Sequence, residues 1–270
     1  MMMELLENTI VIESGQYRQM VLSDDSEHLQ ANEEHCDIVV KENACLEMYR
    51  IQNLDESANL NTHIHIHQQR DSRVHLVVIS FNAGVLDNHI EVEIDGEGAD
   101  TRVYGLYLVD KKQHFENYLK INHQVPHCTS DTRFKGIIDD EASAVFNGHV
   151  YVAPGAQKTD AQQNNANIIL TSTAKIDTKP FLEIYADDVK CSHGTSTGQL
   201  DQEAMFYMRQ RGISQANARM LLMYAFAAEI SNHIKIDSLR DTIEDMIKRR
   251  LRGELSSCDR CVLHCKNPKK

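Results

Sequence analysis

A residue period of two runs through most of this chain and constrains its fold more than any other feature. From Ile10 to about Lys190, short segments rich in Val, Ile, Tyr and Thr alternate apolar with polar residues, a pattern that predicts β-strands. The segments are IVIES, CDIVVKE, CLEMYRI, NTHIHIHQ, RVHLVVISF, HIEVEI, TRVYGLYLV, HVYVAP, NIILTS and FLEIYA. No helix-length periodic segment lies between most of them, which excludes a doubly wound α/β sheet because that fold needs crossover helices.

Polar breaks separate the predicted strands and bear on which all-β fold they form. The breaks lie at 14–15, 41–43, 69–71, 96–98 and 139–141. Few contain the Asn-Gly or Asp-Gly pairs that two-residue hairpins prefer, and several place an alanine before the next strand, as at Ala44, Ala142 and Ala174. A small side chain suits a tight corner stacked on equivalent corners. The breaks therefore favour a parallel β-solenoid, with an antiparallel sandwich as the alternative.

The period changes to that of α-helices after Gly198. The segment LDQEAMFYMRQRG predicts a short helix that begins near Asp201 and ends before Gly212, and Ser214 is placed to cap a second helix. The second helix, QANARMLLMYAFAAEISNHI, is apolar on more than one face, so we expect it to be buried on two sides.

A third helix is predicted from Ser238 and Asp241, which form a Ser-x-x-Asp capping box, to about Leu251. These patterns divide the chain into a β-solenoid core at 1–198, a helical domain at 199–253 and a polar, cysteine-bearing tail at 254–270.

Composition excludes several classes of partner and location. The formal net charge of −12 argues against a nucleic acid or an anionic membrane, because both attract basic surfaces. No apolar run is long enough to span a bilayer, and the N-terminus lacks the basic and apolar regions of a signal peptide. Seven cysteines, scattered except at the tail, fit a reducing compartment better than a disulfide framework. We therefore expect a cytoplasmic protein.

The segment FLEIYADDVKCSHGTSTGQLDQEAMFYMRQR joins the last predicted strand to the first helix and places Cys191 and His193 two residues apart. We interpret Cys-Ser-His as a short turn at this junction, a common location for exposed functional groups. Thiolate and imidazole both ligate iron in iron–sulfur sites, and residues two apart in an extended segment face the same side. A half-buried cysteine and a structural histidine at a corner are the alternative.

The residues from Phe146 to about Gly253, above all ADDVKCSHGTSTGQLDQEAMFYMRQRGIS, resemble the SufBD family of iron–sulfur cluster assembly scaffolds. The resemblance implies a right-handed parallel β-helix followed by a helical domain, in a subunit that is not an enzyme. It also implies that the β-helix edge near Cys191 pairs with a SufB-type subunit and that the helical domain docks on a SufC-type ATPase. An iron–sulfur cluster would then be held transiently at the interface with the SufB-type subunit, and not stably by this chain alone.

Within this family the sequence resembles the SufD type and not the SufB type. It has Ser192, His193 and Gly194 where the SufB type has Glu-His-Glu, and Ala174 where the SufB type has a cysteine one rung earlier. Cys191 and His193 are then candidate ligands of a site shared with the partner subunit. Family members usually carry a helical domain before the β-helix, so we expect this chain to be a fragment or a truncated form. Exposed strand edges would also allow a homodimer when the partner is absent, although the sequence does not fix the oligomeric state of the isolated chain.

The resemblance assigns the ATPase contact to the helical domain, and adaptable Met-rich faces suit such a surface, although core packing explains them equally well. The candidate residues are Met205, Phe206, Met208, Arg209, Arg211 and Met223.

Two further groups carry metal-ligand side chains. His63, His65 and His67 alternate with isoleucines, so three imidazoles share one strand face, which could bind Zn²⁺. Same-face neighbours on one strand are too far apart to meet one ion comfortably, so a solvated outer face is favoured. In the tail, Cys258, Cys261, His264 and Cys265 have a spacing compatible with zinc or a labile cluster, with a disordered tail as the alternative.

Two other functions are alternatives to the scaffold. A stand-alone metal-binding module would use the histidine strand and the cysteine tail. A carbohydrate-active β-helix enzyme needs clustered carboxylates and aromatic platforms, and this chain has no Trp. The acidic pair Asp187-Asp188 could suggest acid–base catalysis, but no nucleophile or base lies at a recognisable distance from it in the sequence. The pair is therefore predicted to form a turn. Lys158, Asp160, Gln162 and Gln163 are interpreted as a polar loop or stacked ladder.

Overall fold

A computed structural model describes residues 9–25 and 32–252 as a β-solenoid followed by three helices. The strands are β1 (Ile10–Ile12), β2 (Tyr17–Asp25), β3 (Glu33–Val40), β4 (Cys45–Asn53), β5 (Asn59–Gln68), β6 (Arg73–Asn82), β7 (Val85–Ile94), β8 (Asp100–Val109), β9 (His114–His123), β10 (Thr129–Ile138), β11 (Ser143–Val152), β12 (Asp160–Ile169), β13 (Lys175–Ile184) and β14 (Lys190–Gly198). The helices are α1 (Gln202–Gln210), α2 (Gln215–Ser231) and α3 (Asp237–Leu251).

The chain alternates between two parallel seven-stranded sheets. The odd-numbered strands form one sheet and the even-numbered strands the other, each in sequence order. Every strand therefore pairs with the strand that follows two elements later, as when β3 pairs with β5 and β10 with β12. This confirms the parallel β-solenoid and excludes the sandwich.

The corners that lead from the odd to the even sheet are stacked and share one backbone conformation. Residues with positive φ recur there at intervals of 27 to 31 positions: Gly15, Asn43, Asp71, Gly98, His127 and Lys158. The backbone N–H of Asn43 donates to the Arg70 carbonyl in the next corner, and Asp71 repeats the bond to Glu97. The corner alanines Ala44 and Ala142 are buried, as expected. The corners thus satisfy their own backbone groups along the solenoid axis.

Alternate side chains of each strand fill the space between the two sheets. In β5, Leu60, Ile64 and Ile66 are buried in this core, whereas the residues between them face outward. Polar side chains also lie inside and satisfy one another: Gln52 Nε2 donates to Asn88 Oδ1 at 2.8 Å, and Thr62 donates to the same oxygen at 2.7 Å.

The helical segment packs on the outer face of the even sheet. A second apolar core joins residues of β4, β6, β8 and β10, among them Tyr49, Val77 and Leu106, to the buried faces of α2 and α3. Both faces of β4, β6 and β8 are consequently covered, and their buried residues run almost without interruption. None of the described helices combines the length and the apolar character that crossing a bilayer requires.

Two helix caps match the sequence and one does not. Asp201 accepts hydrogen bonds from the N–H groups of Glu203 and Ala204, and Ser214 accepts one from Asn217. The predicted capping box at Ser238 and Asp241 is wrong, because α3 begins at Asp237 with Ile236 as an N-cap that lends no side-chain bond. The acidic Asp237 in the first turn favours that terminus electrostatically instead.

Helix α2 contacts α1 and α3 on one side and strands β8 and β10 on the other. Ala218, Met223, Ala227 and Ile230 are buried there, which confirms burial on two sides, although Leu221 remains 38% exposed.

Candidate functional site

The C-terminal end of the solenoid, from which the chain enters α1, consists of β13 and β14. Each is the last strand of its sheet and pairs on one side only, β13 with β11 and β14 with β12, within the part of the chain that the structure describes. An unpaired edge presents free backbone N–H and C=O groups, which are a template for another strand.

Cys191 and His193 lie on β14 and not on a turn, so the interpretation of Cys-Ser-His as a turn is wrong. The turn falls earlier, after β13. The segment KCSHGTSTG offers few apolar residues to reveal a strand, and its extended form is set by backbone pairing with β12.

The register places both side chains on the face that continues the solenoid interior. Cys191 pairs with Ala161 and His193 with Gln163, and both partners are buried inside. Cys191 is half-buried against the core, whereas His193 is exposed because no described strand covers it. A thiol and an imidazole therefore face the same side at the open end, as their spacing in an extended segment predicts.

Burial raises the pKa of the Cys191 thiol, and a backbone hydrogen bond at Ala161 offsets only part of that effect. The thiol is accordingly protonated at neutral pH. Because the thiolate is the ligand form, iron binding at Cys191 would release a proton.

Exposed apolar side chains flank this edge. Phe181 on β13 is 58% exposed and Tyr185, just after β13, is 60% exposed. Each ring contacts a ring of the preceding odd strand, Phe181 with His149 and Tyr185 with Tyr151, both at 5.7 Å between centroids. The rings extend an aromatic surface to the end of the odd sheet.

Helix α1 presents a second exposed surface, since none of its residues is buried. Phe206 is 64% exposed and Tyr207 59% exposed, and the Arg211 guanidinium lies 4.9 Å from the centre of the Tyr207 ring. Met205 and Met208 are half-buried, and Arg209 is exposed. Met223 is buried in the core between the helices and the sheet, so a partner could not contact its side chain directly.

The three histidines of β5 face outward, while Ile64 and Ile66 fill the core, which confirms the outer-face interpretation. They do not meet one another at a single point: His65 pairs with Asp37 at 3.6 Å and His67 with Asp95 at 3.5 Å.

His63 instead stacks on histidines of the neighbouring strands. Its ring lies 4.6 Å from that of His35 on β3 and 4.7 Å from that of His89 on β7, with planes 9° and 10° apart. Burial, and then the proximity of His89 and His35, lower the pKa of His63. Sequence reasoning missed His35 and His89, because only the register between strands brings them beside His63.

The remaining predicted groups are structural or lie elsewhere. Asp188 forms a corner: its side chain pairs with Lys158 and its carbonyl accepts the Lys158 N–H at 2.6 Å, which confirms the predicted turn. Asp160, Gln162 and Gln163 belong to β12, with Gln163 buried. The tail residues Cys258, Cys261, His264 and Cys265 lie outside the described residues, and their metal binding stays a prediction.

Fold and site together define a class: a parallel β-solenoid covered on one outer face by a small helical segment, with a cysteine and a histidine facing one side of its terminal strand. Residues 2–226 match the family model described as SUF system FeS cluster assembly, SufBD core domain. The chain belongs to the SufBD family, and it is of the SufD type.

Curated relatives agree with this assignment. The chain is similar to the iron–sulfur cluster assembly protein SufD of Escherichia coli, with 40% identity over 169 residues, covering 63% of this chain and 40% of the relative. It is also similar to a SufBD family protein of Synechocystis, with 37% identity over 185 residues, covering 68% of this chain and 41% of that protein. A SufBD family protein of Mycobacterium tuberculosis is 32% identical over 205 residues, covering 73% and 51%. The chain thus spans about half or less of the length of these relatives.

Proposed function

We propose that this chain is a non-catalytic scaffold subunit for iron–sulfur cluster assembly. Its family membership supports the assembly role. The observation that carries the proposal is the position of Cys191 and His193 on one face of β14, at an edge that no described strand covers. Thiolate and imidazole are suited to iron, and the open edge leaves room for further ligands from a second subunit. The cluster is cargo at this site, held transiently between the two subunits.

The edges of β13 and β14 pair with a SufB-type subunit. Unpaired parallel strands favour strand addition, and Phe181 and Tyr185 supply exposed aromatic surface beside them. The resemblance to the SufD type explains why the site is incomplete alone. Ser192 and Gly194 stand where the SufB type has glutamates, and Ala174 stands where it has a cysteine. The partner would therefore supply the missing ligands.

Helix α1 docks on a SufC-type ATPase. Phe206 and Tyr207 are both more than half exposed on a helix with no buried residue, and Arg209 and Arg211 add positive charge near the end of that helix. Exposed aromatic and arginine side chains are typical of the centres of protein interfaces. Met223 is excluded from this surface because it is buried.

Co-purification with the two partner subunits tests the pairing. A Phe181→Glu/Tyr185→Glu variant is expected to lose the SufB-type subunit and retain the ATPase, because charge is added only beside β13 and β14. The matched control is Tyr17→Glu, since Tyr17 is 59% exposed on the first strand of the even sheet, at the opposite end of the solenoid. Equal recovery of the SufB-type subunit with both variants contradicts the proposed edge. Recovery of the unmodified chain alone contradicts the scaffold assignment.

The same edges would pair two copies when no partner is present. We expect the isolated chain to form a dimer that the Phe181→Glu/Tyr185→Glu variant converts to a monomer, measured by size-exclusion chromatography with light scattering. A dimer unaffected by the variant would place the homodimer contact elsewhere.

The stand-alone metal-binding module remains a second candidate because one specific group of side chains favours metal binding: Glu33, His35 and His63. The co-purification experiment separates the two functions, since a module that acts alone would recover neither the ATPase nor a second scaffold subunit.

A further inference from the structure

The outer face of the odd sheet carries a cluster of metal-ligating side chains far along the chain from Cys191 and His193. Strand pairing puts His35 directly beside His63, and His63 beside His89. The three imidazoles stack across β3, β5 and β7, so each rung of the solenoid contributes one ring. This arrangement uses one histidine from each of three strands and not the three histidines of one strand.

The Glu33 carboxylate lies close to the Nε2 atoms of two of these rings, so three possible ligand atoms are grouped together. Its Oε1 lies 3.2 Å from His35 Nε2 and 3.7 Å from His63 Nε2. One ligand atom from each residue lies within 4.8 Å of the other two. Zinc–nitrogen and zinc–oxygen bonds of about 2.1 Å in a tetrahedral site put neighbouring donors about 3.4 Å apart. The two contacts made by Glu33 fall on either side of that value.

The remaining adjustment is a rotation of exposed rings. The His35 and His63 planes are nearly parallel, and both must tilt for their Nε2 atoms to point at one ion. The His35 side chain is 53% exposed and that of His63 34% exposed, so both rings rotate on the outer face without disturbing the core, and tilting His63 also moves it out of its stack with His89. The backbone positions are already fixed by the sheet.

A second observation points to a ligand at the same place. Asn61 precedes His63 by two residues on the outward face, and the register places it between Glu33 and Asp87. Its Oδ1 is shielded from solvent and has no hydrogen-bond partner among the described residues. Buried polar atoms are rarely left unpaired. An amide oxygen without a donor, on a residue in register with two carboxylate residues, is an acceptor that a cation would satisfy.

We propose that Glu33, His35 and His63 form a binding site for a borderline divalent transition-metal ion of the Zn²⁺ class, with Asn61 as an adjacent oxygen donor. Two imidazoles and one carboxylate are a common ligand set for such ions, and the fourth position is open to water. His65 is excluded from this set because its ring pairs with Asp37.

Titration of the full chain with Zn²⁺ by calorimetry, and with Co²⁺ by visible absorption, tests the site. Glu33→Gln, His35→Asn and His63→Asn are each expected to weaken binding by about tenfold or more, as loss of a ligand or its orienting partner does. The matched control is His65→Asn, an outward imidazole of the same strand that should leave the affinity unchanged. Co²⁺ bound here should show ligand-field bands without thiolate charge transfer, which separates it from any site in the cysteine tail.

The proposal is overturned if those three variants bind Zn²⁺ as tightly as the unmodified chain, or if His65→Asn weakens binding equally. A measurement on the unmodified chain keeps the test valid if a variant fails to fold. Zn²⁺ should protect His35 and His63 from diethyl pyrocarbonate, read by mass spectrometry, and leave His65 reactive. Equal modification of all three with and without Zn²⁺ rules the site out.

Discussion

Glu47 accepts a hydrogen bond from Lys235 Nζ at 2.9 Å, a contact that ties the turn after α2 to strand β4. The Glu47 side chain is only 2% exposed and also accepts bonds from Tyr49 and Gln19, both at 2.6 Å. Burial alone would raise the pKa of Glu47, but these three hydrogen bonds outweigh it and lower the pKa to about 2. The carboxylate is thus one polar anchor between the helical segment and the solenoid, beside the apolar core that they share.

Replacing this anchor should loosen the helices. Glu47→Gln keeps the shape of the side chain but removes the negative charge to which Lys235 and Tyr49 donate hydrogen bonds. Hydrogen bonds to charged groups contribute about 1.5–3 kcal/mol. We expect the free energy of unfolding to fall by an amount in that range, measured by urea titration. Glu141→Gln is the control, because Glu141 is 64% exposed and lies 3.8 Å from Lys112. Equal stability of the two variants would show that Glu47 does not anchor the helices.

Buried His123 should make the solenoid sensitive to acid. Burial lowers the pKa of His123 to about 4, and its Nε2 lies 2.9 Å from Ser130 Oγ. The unfolded chain binds the proton near pH 6.5 and the folded chain does not. The contribution of neutral, buried His123 to the free energy of unfolding is therefore fully present above pH 6.5 and is lost as the pH falls toward 4. At pH 5 the contribution has fallen by about 2 kcal/mol.

The measurement compares urea unfolding at pH 7 and pH 5 for the unmodified chain and for His123→Gln. The variant lacks the titrating group, so its stability should fall less between the two pH values, with the other buried histidines acting equally on both proteins. An identical fall in the two proteins would mean that His123 takes up its proton as readily when folded as when unfolded.

The stacked corners predict different costs for two glycines. Gly98 has φ +75° and a Cβ there would come 2.2 Å from Asp71 Oδ1, whereas Gly155 has open space around it and an ordinary backbone. Gly98→Ala should destabilise the protein by about 1–2 kcal/mol because a side chain disfavours the left-handed region. Gly155→Ala should be neutral or stabilising by about 0.4–1 kcal/mol, because it reduces the freedom of the unfolded chain. Thermal unfolding checks both, and a reversed order would contradict the corner geometry.

The exposed face of α1 predicts a specific loss of ATPase binding. Phe206→Asp places a charge at the proposed contact without disturbing a core, since Phe206 is 64% exposed. We expect the affinity for a SufC-type ATPase to fall about tenfold or more, as for a central aromatic residue of an interface, with an unchanged unfolding midpoint. Leu221→Asp, at an exposed position of α2, is the control and should retain binding. Full retention by Phe206→Asp would move the contact away from α1.

The sequence predicted the solenoid because its main signals are local. The five polar breaks lie in turns, and each of the ten alternating segments overlaps a strand, five of them extending past its C-terminal end. Strands β2, β9, β10 and β14 were not predicted. Strand β9 does alternate, since Phe115, Leu119 and Ile121 face the core, but the charged residues between them conceal the pattern. The long apolar segments of β4, β6 and β8 are buried on both faces. Their outer face is buried because the helices pack against it.

The geometry of the candidate sites depends on strand pairing and register, which local sequence patterns do not reveal. The spacing of Cys191 and His193 predicts correctly that they face the same side. The interpretation of the segment as a turn is wrong, because backbone pairing, and not side-chain alternation, forms β14. The stack of His35, His63 and His89 requires the register between strands 28 and 26 residues apart. Spacing alone could suggest it only after the solenoid repeat was known.

We infer that β14 presents His193 to a cluster shared with a SufB-type subunit. The most direct measurement is the yield of iron–sulfur cluster on the complex reconstituted with SufB-type and SufC-type partners, comparing His193→Ala with Ser192→Ala. Ser192 is also exposed but points to the opposite face of the strand. We predict that both variants assemble into the complex and that only His193→Ala loses most of the cluster. A normal cluster yield from a fully assembled His193→Ala complex would contradict the account.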